Sequence, residues 1–307
     1  MTSADTGLMS LRLNRRTLLL STSRAGTLAA LSSWVDLANS GQGLPGKRVP
    51  AIFIGHGSPM NALQDNEFTQ ALGRWGSALG RPSAILSVSA HWLTPGLTAV
   101  GIQEQPKTIH DFGGFPPALQ QMTYPARGAP VIARQAAAAL RSVAALTTDE
   151  WGLDHGTWTV LHHLFPKADI PVFQMSIDYA QSGRFHYTLG QELAALRSKG
   201  VLVLGSGNVV HNLRMTDPQA PPALNASRPW AKSFDSAVKQ ALARRDDQAL
   251  IDYASLDNAA RFAVATPDHY WPLLYALGAA DRTEKPVTTF EGFQSGTISM
   301  RCVQWGA

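Results

Sequence analysis

The sequence predicts an α/β fold of three layers, with a mixed, largely parallel central sheet flanked by helices. Short apolar runs bounded by Gly, Pro or Ser have the length and composition of buried strands: Ala51 to Gly55, Ala84 to Ala90, Pro171 to Ser176 and Val201 to Gly205. Between them lie stretches with helical spacing, roughly Asn61 to Leu79, Pro130 to Leu146 and Phe185 to Lys199. Strands that alternate with helices in this way pair in parallel and are covered on both faces. Size agrees: 307 residues, 45% of them hydrophobic and 16% charged, suffice for one large α/β domain or two small ones.

Taken in order, residues 1–40 read as an address rather than as part of the fold. Leu13-Asn14-Arg15-Arg16-Thr17-Leu18-Leu19-Leu20 sets an arginine pair before an apolar stretch, and no Asp or Glu occurs from Thr6 to Val35. The pattern resembles a twin-arginine export signal and implies a periplasmic location, with the cytoplasm as the alternative. Ser21, Thr22, Ser23 and Arg24 interrupt the apolar region, so it is not a membrane span, which needs roughly 20 mostly apolar residues. A linker, Gly41 to Pro50, leads into the first strand. After the strand–helix alternation a further helix is predicted over Trp230 to Arg244. Thr266-Pro267-Asp268 or Pro272 opens the next one, proline being favoured in a first turn. Val287 to Glu291 and Thr297 to Gln304 alternate like added strands, antiparallel to the rest.

Composition narrows the function classes. The formal charge is +4, of which the first 40 residues carry +2, and the remainder holds no basic stripe, so the chain is not read as binding nucleic acid. Cys302 is the only cysteine, which excludes an internal disulfide and a thiolate metal cluster. Its apolar surroundings predict a small buried side chain. The sequence carries no signal for an oligomeric state.

Histidine is where the chemistry concentrates. His56 closes the first strand as Gly55-His56-Gly57-Ser58-Pro59, His91 closes the second as Ser89-Ala90-His91-Trp92, and His211 follows Val201 to Val210. Ligands of such sheets bind beyond the carboxyl ends of the strands, where these three fall. Imidazole is the commonest metal ligand and titrates near neutrality, so histidines meeting there hold a metal or move protons. His269, in Thr266-Pro267-Asp268-His269, joins the set. His155, in Trp151-Gly152-Leu153-Asp154-His155-Gly156-Thr157-Trp158, suits a pocket with a proton-handling group, although adjacent residues such as Asp154 and His155 point apart. His110 lies in a Gly- and Phe-rich loop and is read either as pocket rim or as held by Asp111. His162, His163 and His186 are read as solvated helix residues. Gly205-Ser206-Gly207-Asn208 lacks the glycine and lysine positions of a phosphate loop, and no Gly-x-Ser-x-Gly elbow occurs.

Together these motifs carry a family resemblance. Gly55 to Asn61, Ser89 to Trp92, His110 to Pro116, Leu153 to Gly156, Gly207 to Leu213 and Pro267 to Tyr270 run in the order of the class III extradiol ring-cleaving dioxygenases. The chain resembles the branch of that family named for 4,5-DOPA dioxygenase. The match extends from about Val49, so residues 49–307 are read as a single catalytic domain.

The resemblance implies that His56, His91 and His269 bind one divalent metal ion, Zn(2+) or Fe(2+). It implies that His211 is either a further ligand of that ion or an acid/base. Better-known relatives use two histidines and a glutamate; here His269 stands in the place of the carboxylate. The implied reaction opens the ring of a small aromatic diol, DOPA-like or related, with O2. His211 or His155 accepts a catechol proton, and Trp92, Phe112, Phe115 and Trp158 are candidates for packing the ring. Two alternatives use the same histidines: a zinc hydrolase with a metal-activated water, and a non-catalytic metal-binding protein.

Overall fold

Pleating explains the first strand. In β1 (Ala51–Gly55) every residue is buried. Ala51 and Phe53 enter the core on one face of the sheet, Ile52 and Ile54 the core on the other. A strand covered on both sides must be apolar throughout, and this one is. The structure, a computed structural model, describes residues 48–216 and 226–306. The export signal expected in residues 1–40 lies outside them.

The remaining strands are β2 (Ala84–Thr94), β3 (Ala99–Gly101), β4 (Leu146–Thr148), β5 (Val172–Asp178), β6 (Val201–Gly207), β7 (Pro286–Phe290), β8 (Phe293–Gln294), β9 (Ile298–Ser299) and β10 (Cys302–Trp305). Eight of them form one sheet in the order β4-β3-β5-β2-β6-β1-β10-β7. Its centre, β5-β2-β6-β1, is parallel, while β10 and β7 add antiparallel at one side and β3 pairs antiparallel with β5. The mixed, largely parallel sheet is as the sequence predicts.

Helices cover both faces. They are α1 (Glu67–Leu79), α2 (Pro117–Gln120), α3 (Pro130–Ala139), α4 (His155–Leu164), α5 (Gly183–Arg197), α6 (Pro229–Arg244), α7 (Asp247–Ile251), α8 (Ala260–Ala263) and α9 (Trp271–Ala279). Phe68, Leu72 and Trp75, spaced to share one face of α1, join Trp158 and Leu161 of α4 over one side of the sheet. Leu189 and Leu193 of α5, Phe234 and Val238 of α6, and most of α9 fill the other. Among the described residues no helix is long and apolar enough to cross a membrane. Cys302 is fully buried, as expected, and burial pushes its thiol up to about 12.

Three expected elements divide. Asn61 to Leu79 is a 3-10 turn, Pro59–Leu63, followed by α1. The restart belongs to Asn66, whose side chain accepts from Thr69 N–H while Thr69 Oγ1 accepts from Asn66 N–H. Pro130 to Leu146 stops at Ala139, because Leu140 turns extended and Leu146 is taken into β4, its N–H donating to Thr98. Thr297 to Gln304 splits into β9, which pairs with β8, and β10, which pairs with β1. The Arg301 guanidinium between them is buried on Asp235. Near His269 both expected starts exist: a 3-10 turn at Pro267–His269, then α9 with Pro272 in its first turn.

Candidate metal centre

His56 leaves the end of β1 with its N–H bonded to Gly207 O at 3.0 Å, so the carboxyl ends of β1 and β6 hold its backbone. His91 sits differently from expectation: β2 continues to Thr94, and His91 lies inside an irregularity where the pairing with β5 jumps from Val88–Met175 to Leu93–Ile177. Such bulges re-aim side chains next to sites. His155 opens α4 behind its N-cap Asp154, whose carboxylate accepts from Thr157 N–H, Ser89 Oγ and Gln174 Nε2. Asp154 therefore fastens α4 to β2 and β5 and does not touch the His155 ring, as the adjacency argument anticipates.

His269 ends the 3-10 turn before α9, and its carbonyl accepts from Asn208 N–H at 2.8 Å. That loop presses on β6 so closely that a Cβ at Gly207 would stand 2.1 Å from His269 O, and one at Gly205 2.1 Å from Pro272 O. The Gly-Ser-Gly run exists for this approach. Gly156 has the same role from α4: a Cβ there would lie 2.5 Å from Ser89 Oγ and 3.0 Å from the His91 ring.

The rings converge. Centroids of His56, His91 and His269 lie 5.1 to 5.3 Å from one another. His155 lies 3.9 Å from His91 and 5.6 Å from His56. The ring nitrogens of His56, His91 and His155 come within 4.8 Å of one another, a set that includes neither His269 nor His211. His211 stacks on His269, with centroids 3.5 Å apart and planes 5° from parallel. All five histidines line one cavity of about 340 Å³, which Phe112 and Phe115 also line.

Hydrogen bonding sets the tautomers. Ser206 Oγ donates to Gly156 O, so it accepts from His56 Nδ1–H at 3.0 Å. Asp111 Oδ2 accepts from His155 Nδ1 at 2.9 Å and lies 3.3 Å from His91 Nδ1, while Asp111 Oδ1 accepts from His155 N–H. Asp268 accepts from His269 Nδ1. Nε2 of His56, His155 and His269 is thus the acceptor nitrogen of each neutral ring, while His91 Nδ1 lies beside Asp111 without a hydrogen bond to it. Nε2 of His56 and Nε2 of His91 face each other across 3.3 Å.

At that distance the two nitrogens share either a proton or a cation. A tetrahedral ion about 2.0–2.1 Å from each nitrogen sets them about 3.3–3.4 Å apart. Burial, followed by the neighbouring histidines, holds His56 and His91 well below the usual imidazole range, so each ring is neutral and keeps one nitrogen lone pair near neutrality. Burial and the His269 neighbour lower His211 to about 3. The carboxylates behind the rings stay ionised. Burial alone would raise Asp111 and Asp268, but the His155 and His269 hydrogen bonds outweigh it and hold Asp111 low and Asp268 at about 2. Imidazoles backed by carboxylates are the donor set of a borderline divalent metal, and the residues fit one.

Other expectations resolve individually. His110 is bonded to Met122 O at 2.9 Å and not to Asp111, which faces His155 instead. His186 is not solvated. It is fully buried, with Nδ1 2.9 Å from Tyr275 Oη, because α9 covers the start of α5. His162 and His163 are half-buried, and His163 Nε2 bonds Asn61 O. Of the four aromatic candidates, Phe112 and Phe115 line the cavity; Trp92 stacks on Trp151, and Trp158 is core, its Nε1 bonded to Ile109 O. Sequence reasoning missed Asp111, Asp268 and Ser206 as the groups that orient the histidines. The one available signal was the direct adjacency of Asp268 to His269.

Comparison with known proteins agrees with this geometry. Residues 49–300 match the family described as the catalytic LigB subunit of aromatic ring-opening dioxygenase. The chain is 44% identical over 263 residues to the 4,5-DOPA dioxygenase extradiol of Escherichia coli (strain K12), covering 84% of this chain and 95% of that one. It is 37% identical to the protein of the same name from Beta vulgaris, covering 81% and 93%. A solved structure of an uncharacterized protein from Escherichia coli K12 superposes with a TM-score of 0.73 at 39% identity, covering 84% of this chain and all of that one. The chain therefore belongs to the class III extradiol ring-cleaving dioxygenases, the family of the catalytic LigB subunit of aromatic ring-opening dioxygenases.

Proposed function

We propose that the protein opens a catechol ring beside its diol, using O2, at one divalent metal ion held by His56, His91 and His269. The observation that carries this reading is the convergence of these three rings at near-equal spacing, with Nδ1 of His56 and His269 hydrogen-bonded behind the ring and Nδ1 of His91 3.3 Å from Asp111. When bound, ferrous iron would bring the diol and O2 together and supply the electronic route for dioxygen to react; the imidazole donors suit zinc equally.

The chain's own residues do the rest. His155 is oriented by the two hydrogen bonds it donates to Asp111, from its backbone N–H and from Nδ1, so its Nε2 is available to accept a catechol proton. His211 is assigned to proton handling and not to the metal. An imidazole coordinates in its ring plane, and rings stacked parallel at 3.5 Å do not both reach one ion. Phe112 and Phe115 pack the ring and keep water away from it.

A second reading makes His155 the third ligand, favoured by its ring nitrogen lying within 4.8 Å of those of His56 and His91. Metal content separates the two. The first expects His269→Ala to lose the ion and His155→Ala to keep it while losing turnover by roughly 100-fold or more; the reverse metal contents favour the second. An oxygen electrode tests the reaction. Iron-loaded protein with a catechol should consume O2 and give a yellow ring-opened product, and absence of both refutes the proposal. We also propose export through Arg15-Arg16. Cell fractionation should find the protein in the periplasm, and retention in the cytoplasm contradicts it.

A further inference from the structure

His56 and His211 line one cavity but belong to different loops, and the hairpin of β8 and β9 bonds to both. On the His211 side the second strand of the hairpin does the fastening. Ser299 N–H donates to Val210 O at 3.0 Å, Asn212 N–H to Thr297 O at 3.3 Å and Thr297 Oγ1 to Asn212 O at 2.9 Å, with His211 itself bridged to Ile298. The His211 N–H donates the other way, to Ala263 O at 2.8 Å. The position of His211 therefore follows that of the hairpin.

On the His56 side the turn of the hairpin is fastened by a side chain. Gln294, where β8 enters the turn, is buried against Asn61, also buried. The two amides pair reciprocally: Gln294 Nε2 donates to Asn61 Oδ1 at 2.7 Å, and Asn61 Nδ2 donates to Gln294 Oε1 at 3.3 Å. Asn61 Nδ2 also donates to His56 O at 3.0 Å, and Gln294 Oε1 accepts from Ser58 N–H at 2.8 Å. Gly57, at φ +64°, leaves the room this needs, since a Cβ there would stand 2.3 Å from Gln294 Oε1. Backbone pairing anchors the far end of the hairpin to β1, Gly55 N–H donating to Arg301 O at 2.9 Å. The amide pair anchors the turn.

We infer that Gln294 is a positioning residue, whose amide sets the place of the proton-handling His211 relative to His56. The inference rests on the proposed ring cleavage and on the role assigned there to His211. With its turn freed, the hairpin carries His211 away from the catechol proton, and a misplacement of about 1 Å costs up to roughly 100-fold in rate. Metal and catechol binding depend on groups with supports of their own: His56 Nδ1 on Ser206, His269 Nδ1 on Asp268, and Asp111 beside His91. The loss therefore falls on kcat.

The test uses the full, iron-loaded chain with 4-methylcatechol. Gln294→Met keeps the length of the side chain and removes its three hydrogen bonds. Expected is a fall in kcat of roughly 10- to 100-fold, with KM and zinc affinity each within about threefold of the parent. Gln294→Glu is the conservative variant. Its protonated carboxyl offers an O–H and a C=O in place of the amide N–H and C=O, so kcat relative to the parent should recover toward low pH and fall as the carboxyl ionises against Asn61 Oδ1. An amide that serves stability alone would leave that ratio flat. 4-Nitrocatechol bound to the zinc-loaded protein gives a readout besides turnover. Its absorbance reports the second deprotonation, which should need a pH about one unit higher in Gln294→Met, the equivalent of a tenfold weaker proton acceptor. A folded Gln294→Met with kcat within about threefold of the parent overturns the inference, as does a turnover loss matched by lost zinc affinity. Should Gln294→Met not fold, the Gln294→Glu ratio decides, and a flat ratio overturns the inference. If the parent opens no catechol yet the 4-nitrocatechol shift appears, ring cleavage fails while the positioning stands; without the shift the positioning fails too.

Discussion

Asp111→Ala is the most informative single substitution. One carboxylate oxygen serves two rings, His155 Nδ1 at 2.9 Å and His91 Nδ1 at 3.3 Å, and the other holds the His155 backbone N–H at 2.9 Å. Removing it frees His91 to rotate and to change tautomer, so that its Nε2 is a donor of lone-pair density only part of the time. Groups that orient metal-bound histidines are typically worth 10- to 100-fold in metal affinity, or about 1.4 to 2.7 kcal/mol. The expected loss lies in that range, and His155 should lose turnover beyond what metal saturation restores. Asp111→Asn should behave similarly, because an amide that accepts the backbone N–H through oxygen presents N–H to both rings. Competition for zinc against a fluorescent chelator measures the affinity, and urea unfolding checks that the fold persists. Affinity within about threefold of the parent, in a folded variant, refutes the reasoning.

Arg197→Met should destabilise the fold by about 3–5 kcal/mol. The fully buried guanidinium holds both Glu284 oxygens and the carbonyls of Val49, Ala279 and Trp305, and its removal costs all five hydrogen bonds and leaves the partly exposed Glu284 carboxylate without its cation; denaturant unfolding reads the loss, and a change under 1 kcal/mol contradicts it. His186 gives a pH dependence. Burial lowers it to about 4, below the usual 6.5, so the unfolded chain binds the extra proton between those values and stability falls as the pH drops through them. Its share is about 2 kcal/mol between pH 7 and pH 5. In His186→Gln the difference in unfolding free energy between those two pH values should shrink by that amount, and an unchanged difference refutes the assignment.

What was legible in the sequence was whatever depends on neighbours along the chain. β1 is visible because burial on both faces demands an uninterrupted apolar run, and His56 is visible because it ends that run. His91 was found for a reason that needs amending, since no local pattern shows that β2 continues through a bulge. Asp111 entered only in one of the two readings of the adjacent His110, and only the folding of its loop against α4 gives it to His155, 44 residues away. His186 looks like a solvated helix start until α9 packs over it. Thr297 to Gln304 reads as one strand because alternation is blind to which sheet each half joins. With family membership shown, the hydrolase and the non-catalytic metal-binding alternatives drop away.

The central claim is that the five-histidine cavity is the ring-opening site. The most direct measurement follows O2 and catechol together in an anaerobically iron-loaded sample, with His56→Ala alongside. The account expects one O2 consumed per catechol, no hydrogen peroxide, a ring-opened product, and loss of both O2 uptake and product in His56→Ala although the variant stays folded. Equal turnover in the variant, or O2 uptake that yields peroxide with the ring intact, would contradict it.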